Sequence, residues 1–194
     1  MRVISGRLKG RVLKGPQSHD IRPTSDRLRE SIFNVLSHSY DDPCAGARVI
    51  DLCAGTGALA IEALSRGAHF ALLVDEGAEA RSLIRANVEA LGLGGQTRLF
   101  RRDATKLGHA PAGEPFTLAF LDPPYRKNLI TPILTALRDG HWLAPRALCI
   151  IEEAEESDIM LPDGFEQCEK RLYGDTQCVF AQFSGAPEKA LNIS

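Results

Sequence analysis

Apolar residues along the chain form short runs that alternate with longer stretches of helical spacing. Five of the runs are typical of buried strands, and three stretches between them place apolar side chains at intervals of three and four. Strands that alternate with helices predict an α/β protein with a mostly parallel sheet and helices on both faces. The predicted strands are residues 48–53, 70–75, 97–102, 117–122 and 147–152, and the predicted helices are 58–65, 78–91 and 129–138.

The two ends of the chain depart from this alternation. Residues 164–173 and 177–183 follow each other around Gly174-Asp175 without a helix, which predicts an antiparallel hairpin at the sheet edge and brings the total to seven strands. Residues 1–15 contain two short apolar pairs separated by glycines and predict a small hairpin. A helical pattern follows it. We therefore divide the chain into an N-terminal hairpin and helix, residues 1–40, and a main domain with a Rossmann-like fold, residues 41–194.

Charge is distributed unevenly along the 194 residues, although the net charge is only −2. Residues 1–30 carry eight basic and three acidic side chains, whereas residues 152–169 carry eight acidic side chains and neither lysine nor arginine. A basic segment on a near-neutral body suits contact with a phosphate backbone. A solvated basic tail is the alternative that charge alone leaves open.

Several classes of protein are disfavoured by composition. No apolar run has the length of a membrane span, and the polar, basic N-terminus lacks the apolar core of a signal peptide. The five cysteines are widely spaced without a Cys-x-x-Cys pair, and the five histidines show no metal-ligand spacing. We therefore expect a cytoplasmic protein with no metal site, no disulfide framework and no membrane partner.

A glycine-rich loop joins the first predicted strand of the main domain to a helix. Its residues, Ala54-Gly55-Thr56-Gly57, let the backbone turn sharply and approach a ligand, and the helix start offers free N–H groups. One interpretation is the dinucleotide fingerprint Gly55-x-Gly57-x-x-Ala60 of a nicotinamide dehydrogenase, with Asp75 on the ribose. A tight turn that binds nothing is a further alternative.

The same loop also resembles motif I of class I methyltransferases through Asp51-x-Cys53-x-Gly55-x-Gly57. That resemblance implies that Asp51 lies near the methionine part of S-adenosylmethionine. Asp75, at the end of the second strand, would accept hydrogen bonds from both ribose hydroxyls. Asp103, after the third, would accept from the adenine amino group. The implied cofactor-binding residues are Asp51, Ala54, Gly55, Gly57, Asp75, Asp103 and Ala104, the last through its backbone N–H.

A second loop, Asp122-Pro123-Pro124-Tyr125, follows the fourth predicted strand beside the cofactor loop. An exocyclic base nitrogen is a poor nucleophile because its lone pair is delocalised into the ring. The Asp122 carboxylate and the Pro123 carbonyl are acceptors that can hold the amino hydrogens and stabilise positive charge as a methyl group arrives. Pro123 and Pro124 stiffen the loop, and Tyr125 offers a face for an unstacked base. These four residues are the predicted catalytic residues.

Taken together, the motifs resemble the bacterial RsmD family of 16S rRNA guanine-N2 methyltransferases, and the resemblance covers nearly the whole chain. The Arg-Pro-Thr segment combined with Asp-Pro-Pro-Tyr is its most specific part. Val74-Asp75-Glu76 has Asp where the family commonly has Glu, which still permits ribose binding. The matching segments are Arg2 to Arg11, Arg22 to Glu30 with Phe33-Asn34, Asp51 to Leu59, Glu62 to Ala68, and Asp122 to Tyr125.

The resemblance implies transfer of one methyl group from S-adenosylmethionine to N2 of a guanine in 16S rRNA, on an assembled small ribosomal subunit. It also implies that the basic hairpin and helix contact RNA, and we expect the enzyme to act as a monomer. The predicted RNA-binding residues are Arg7, Lys9, Arg11, Arg22 and Arg27.

Three alternatives remain open from the sequence. A DNA adenine-N6 or cytosine-N4 methyltransferase would also use Asp-Pro-Pro-Tyr, but the chain has no room for a separate target-recognition domain. A dehydrogenase leaves the loop at Asp122 unexplained. A non-catalytic RNA-binding assembly factor would not need that acid. Glu152, at the end of the fifth predicted strand, is interpreted as a solvated strand end.

Overall fold

The fold is a twisted α/β sheet, seen in a computed structural model that describes residues 1–16 and 25–185. Its seven strands lie in the order β3-β2-β1-β4-β5-β7-β6. The first five pair in parallel, while β7 pairs antiparallel with both β5 and β6. The strands are β1 (Arg48–Leu52), β2 (Phe70–Val74), β3 (Thr97–Phe100), β4 (Phe116–Leu121), β5 (Leu143–Ala154), β6 (Phe165–Tyr173) and β7 (Thr176–Phe183). The predicted fold class and the C-terminal edge hairpin are thereby confirmed.

The longer helices lie close to the residues for which the spacing of apolar side chains predicted them. Ser25 Oγ accepts the Leu28 N–H at 3.1 Å and caps the first helix. Strand β5 begins at Leu143, earlier than predicted, and its pairing with β4 shifts register between Phe116 and Leu118. The polar and proline-containing start of β5 hid it from the apolar pattern. The helices are α1 (Asp26–Ser39), α2 (Ala58–Ser65), α3 (Ala78–Ala90) and α4 (Ile130–Asp139).

Apolar side chains fill both faces of the sheet. Helices α1, α2 and α3 and the N-terminal segment, residues 1–16, cover one face, where Val3, Phe33 and Leu64 are almost fully buried. Helix α4 covers the other face together with Trp142. The N-terminal segment therefore shares a hydrophobic cluster with the main domain, and the division at residue 40 stays a prediction. In the described part of the chain, no helix is long and apolar enough to cross a lipid bilayer.

The predicted N-terminal hairpin exists in a reduced form. Its two arms meet in a single antiparallel bridge between Arg2 and Val12, and a short 3₁₀ turn, Gly6–Leu8, occupies the reversal. Backbone N–H groups that a longer ladder would have used donate instead to side chains of the main domain. Glu62 on α2 accepts from Ile4 at 2.8 Å and Ser5 at 2.9 Å. These contacts fix the segment against α2.

Candidate active site

A cavity of about 840 Å³ opens at the carboxyl ends of the parallel strands. Strand β1 lies between β2 and β4, so the chain changes direction across the sheet at this point, where open α/β sheets bind their ligands. The cavity lining contains every predicted cofactor-binding and catalytic residue except Gly57. Those lining residues are Asp51, Ala54, Gly55, Asp75, Asp103, Ala104, Asp122, Pro123, Pro124 and Tyr125.

Positive φ angles shape the cofactor loop. Gly55 has φ of 56° and Gly57 has φ of 77° at the start of α2. A Cβ on Gly57 would lie 2.8 Å from the Leu73 side chain, so this glycine supports the loop from behind although it does not line the cavity. Asp75 fixes the loop from the cavity side, because its carboxylate accepts the Gly55 N–H at 2.9 Å. The same carboxylate accepts the Gly77 N–H at 2.8 Å, just before α3.

Asp51 is the most buried acid of the cavity lining, with 1% of its surface exposed. Its Oδ2 accepts the Ala60 N–H at 3.1 Å, whereas Oδ1 has no hydrogen-bond partner among the residues described. Burial raises the pKa of Asp51 to about 8; the nearby charge of Asp75 adds to that rise and the Ala60 N–H opposes it. A buried acceptor of this kind is satisfied when a cationic ligand group arrives.

Asp103 lines the same cavity, but its pKa is shifted in the opposite direction from that of Asp51. It caps the short turn Ala104–Lys106, and its Oδ1 accepts from the backbone N–H of Thr105 at 2.8 Å and from the Thr105 hydroxyl at 2.7 Å. Those two hydrogen bonds lower the pKa of Asp103, so the group is a carboxylate at neutral pH. The adjoining Ala104 is buried.

Asp122-Pro123-Pro124-Tyr125, which we call the catalytic loop after its predicted role, begins where β4 ends. The Asp122 N–H donates to the Leu52 carbonyl at 3.4 Å, which places Asp122 beside the cofactor loop. Pro123 is buried and Tyr125 is half-buried. The Tyr125 hydroxyl donates to Glu152 Oε1 at 2.5 Å, and burial together with that carboxylate raises the pKa of the phenol. The loop is therefore held at its first residue by the Leu52 carbonyl and at its last residue by the Glu152 carboxylate.

The interpretation of Glu152 as a solvated strand end is wrong. Glu152 is only 4% exposed, because β5 continues to Ala154 and β7 pairs along it, with Glu152 opposite Cys178. The next residue, Glu153, is 2% exposed. Two consecutive acids directly after the apolar stretch 147–151 could have indicated that the strand continues and that these acids have partners inside the protein.

Asn87 is a second residue that sequence reasoning missed. It is 1% exposed, and its side-chain NH₂ donates to the carbonyls of Lys14 at 3.1 Å and Thr56 at 3.0 Å. Its Oδ1 accepts the Lys14 N–H at 2.7 Å. Since Thr56 belongs to the cofactor loop, Asn87 joins the N-terminal segment to that loop. No sequence pattern pointed to this contact.

The predicted RNA-binding residues that the structure describes do not line the cavity. Arg7 donates to the Gln96 side chain at 2.5 Å, just before β3, and Arg11 donates to the Ala90 carbonyl at 3.0 Å, at the end of α3. Lys9 is exposed on the same segment, and Arg27 is exposed on α1. Arg22 lies outside the described residues. Arg7, Lys9 and Arg11 therefore lie on the N-terminal segment, and none of the three lines the cavity.

The sheet order, the cavity at the crossover point and the acids at successive strand ends define a Rossmann-like methyltransferase. Solved structures share this fold. One is an Escherichia coli protein, yhhF, provisionally described as a methyltransferase, with TM-score 0.81, 29% identity and coverage of 96% of this chain and 99% of that one. Another is magnesium protoporphyrin IX methyltransferase from Synechocystis with bound S-adenosylmethionine, with TM-score 0.58, 20% identity and coverage of 81% and 79%. This second likeness shows the fold alone.

Sequence comparison identifies the family. The model of the family described as conserved hypothetical protein 95 matches residues 1–182, and the chain belongs to that family. Ribosomal RNA small subunit methyltransferase D of Escherichia coli K12 is 38% identical over 82% of this chain and 77% of its own length. YlbH of Bacillus subtilis, provisionally described as an rRNA methyltransferase, is 37% identical over 82% and 85%. The resemblance to the RsmD family is confirmed.

Proposed function

We propose that the protein transfers a methyl group from S-adenosylmethionine to the exocyclic N2 of a guanine in 16S rRNA of the small ribosomal subunit. The observation that carries the proposal is the placement of Asp122-Pro123-Pro124-Tyr125 in the same cavity as the acidic strand ends. The names of the relatives support an rRNA substrate. We expect the enzyme to act as a monomer in the cytoplasm, where ribosomal subunits are assembled.

The cavity fits S-adenosylmethionine. The buried Asp51 Oδ1 is an acceptor in need of a donor, and the ammonium group of the methionine part supplies one. Each oxygen of a carboxylate can accept more than one hydrogen bond, so Asp75 can hold the cofactor loop and still accept from the ribose hydroxyls. Asp103 and the Ala104 N–H are assigned to the adenine edge. Ala54 and Gly55 allow the backbone to approach the ligand, and Gly57 supports the loop behind them.

The protein's own groups accept hydrogen bonds from the amino group of the base and orient its nitrogen. The cofactor supplies a methyl group on a positively charged sulfur, which needs no further activation. The Asp122 carboxylate and the Pro123 carbonyl accept the amino hydrogens, which directs the nitrogen lone pair towards the methyl group and stabilises the developing positive charge. Tyr125 stacks on the unstacked base, a contact worth about 1–3 kcal/mol in base recognition. Pro123 and Pro124 limit the ordering needed at reaction.

Methyl transfer from labelled S-adenosylmethionine to small subunits lacking the modification, followed by nucleoside analysis, tests the proposal. We expect label in N2-methylguanosine at one site. Label in adenine or cytosine of DNA would favour the DNA methyltransferase alternative. Absence of label from all nucleic acid, with intact RNA binding, would favour a non-catalytic assembly factor.

Cofactor binding is expected to release a proton through Asp51. At pH 6.5 this carboxyl is largely protonated, because its pKa is raised to about 8, and a cationic ligand group lowers that pKa and expels the proton. Calorimetry in buffers of different ionisation enthalpy measures the release, which should approach one proton at pH 6.5 and shrink as the pH rises through 8. An Asp51→Asn variant is the control and should release none. Equal release by the variant would contradict this assignment.

Removal of one cation from the N-terminal segment is expected to weaken RNA binding in a salt-dependent way. Lys9→Ala or Arg11→Ala should reduce the slope of log K against log salt by about 0.7–0.9 for each phosphate that the side chain neutralises in the wild-type complex. Filter binding of small-subunit RNA from low to moderate salt measures it. Lys170→Ala, on the far edge strand β6, is the matched control. An unchanged slope in both N-terminal variants would show that the segment does not touch phosphate.

A further inference from the structure

We propose that Glu152 is a positioning residue, which holds the ring of Tyr125 in the orientation needed to stack on the target base. This inference rests on the proposed function for the identity of the base. It assigns a role to a residue of β5 that does not line the cavity and that contacts the loop through Tyr125.

The contact is direct and specific. The Tyr125 hydroxyl donates to Glu152 Oε1 at 2.5 Å, a charge-assisted hydrogen bond, and lies 3.3 Å from the Thr176 hydroxyl. Glu152 belongs to β5 and Thr176 to β7, so the sheet itself fixes where the phenol oxygen lies. A tyrosine ring anchored at its oxygen keeps little freedom to swing away from the cavity.

A second contact holds the next residue of the loop. The backbone N–H of Arg126 donates to Glu153 Oε1 at 3.0 Å, and that oxygen also accepts the Ala154 N–H at 2.7 Å. Arg126 has φ of 60°, a left-handed conformation that a residue with a side chain adopts at a cost. Consecutive acids of β5 therefore hold consecutive residues of the loop, one through a side chain and one through the backbone.

Burial argues that these acids serve the loop rather than stability alone. A carboxylate removed from water is costly, and an apolar residue would fill the same space without that cost. Glu152 and Glu153 are 4% and 2% exposed at the end of an otherwise apolar strand. What they provide is fixed geometry beside the reacting base, and misplacement by about 1 Å can cost as much as 10²-fold in rate.

A double-mutant cycle tests the proposal. Glu152→Ala is expected to lower kcat for methyl transfer about tenfold. The dissociation constant for S-adenosylmethionine should not change, because no cofactor-binding residue is altered. Glu152→Gln, whose amide oxygen still accepts from the phenol, should stay within about threefold of wild type. In a Tyr125→Phe background, which is itself slower than wild type, Glu152→Ala should cost less than about twofold, since the partner hydroxyl is already gone.

The cycle has outcomes that overturn the proposal. An equal loss of kcat from Glu152→Ala in both backgrounds would show that Glu152 does not act through the Tyr125 hydroxyl. A Glu152→Gln variant as slow as Glu152→Ala would exclude a role as hydrogen-bond acceptor. Melting temperatures of all variants separate these effects from loss of the fold, and Glu152→Gln keeps the test usable if Glu152→Ala fails to fold.

A measurement independent of activity separates this inference from the proposed function. Tyrosine labelled with ¹³C at Cζ gives one NMR signal for each of the three tyrosines, and the Tyr125→Phe variant identifies the signal of Tyr125. Glu152→Gln should move the Tyr125 signal at neutral pH more than the signals of the other two tyrosines, because the charged acceptor of its hydroxyl becomes a neutral one. An unmoved Tyr125 signal would overturn the contact. If the signal moves but wild type methylates no RNA, only the proposed substrate is wrong.

Discussion

Replacing Asp122 with alanine is expected to lower kcat for methyl transfer by at least about 10²-fold, the effect of removing one charge-stabilising group from an active site. Asp122 lies at the end of β4, beside the cofactor loop, through its N–H contact with the Leu52 carbonyl. Its carboxylate is the charged acceptor among the two assigned to the amino group. S-adenosylmethionine should bind with nearly wild-type affinity, because Asp51, Asp75 and Asp103 are unchanged. Single-turnover methyl transfer and calorimetric cofactor binding measure the two effects.

Two further variants sharpen this test. Asp122→Asn keeps an acceptor oxygen but removes the charge, so it should retain more activity than Asp122→Ala. Asp139→Ala removes an exposed acid at the far end of α4, with 61% of its side chain accessible, and should not change kcat. Loss of cofactor binding in Asp122→Ala would place Asp122 in the cofactor site. Full activity in that variant would remove the loop from catalysis.

The sheet and the cavity could be predicted because they depend on local patterns. A buried parallel strand such as β2 is a continuous apolar run in the sequence, and Asp75, an acid that lines the cavity, follows directly where that run ends. Parallel strands bring all such ends to one edge, so the position of each acid in the sequence predicted its position in space. The Asp122 loop was placed by the same reasoning.

Contacts between distant parts of the chain could not be predicted in this way. Asn87 reaches Lys14 across 73 positions, and Tyr125 reaches Glu152 across 27. A polar residue inside a helix or at a strand end gives the same local pattern whether it faces solvent or a partner. Arg29 shows the consequence, since it was counted with the basic segment yet is fully buried against Asp26 and Glu62.

The buried ion pair between Arg29 and Glu62 also explains why the N-terminal segment lies against the methyltransferase fold. Glu62, with no exposed surface, accepts from the N–H groups of Ile4 and Ser5 and from Arg66 Nε at 2.9 Å. Arg29 Nη1 lies 3.6 Å from its Oε2, and Arg29 Nη2 donates to the Arg2 carbonyl at 2.7 Å. One carboxylate thus connects α1, α2 and the N-terminal segment.

Replacing Glu62 with alanine is expected to destabilise the protein by about 3–5 kcal/mol, the cost of breaking a buried ion pair from one side. Among the residues that the structure describes, the fully buried Arg29 guanidinium would keep Asp26 as its partner acid, and two backbone N–H groups would lose their acceptor. Urea unfolding measures the change. Glu89→Ala, an exposed acid on α3, is the control and should change the free energy of unfolding by less than about 0.5 kcal/mol.

A double variant decides whether the loss of stability comes from the uncompensated charge. Arg29→Met combined with Glu62→Ala removes both charges and should be less destabilised than the sum of the two single variants, because each single variant leaves the remaining buried charge with one partner fewer. Strict additivity would show that the two side chains act independently and that the hydrogen bonds to Ile4 and Ser5 carry the effect. In that case Glu62→Gln, which keeps a single acceptor oxygen, should recover part of the stability, and the N-terminal segment is held by those bonds rather than by the ion pair.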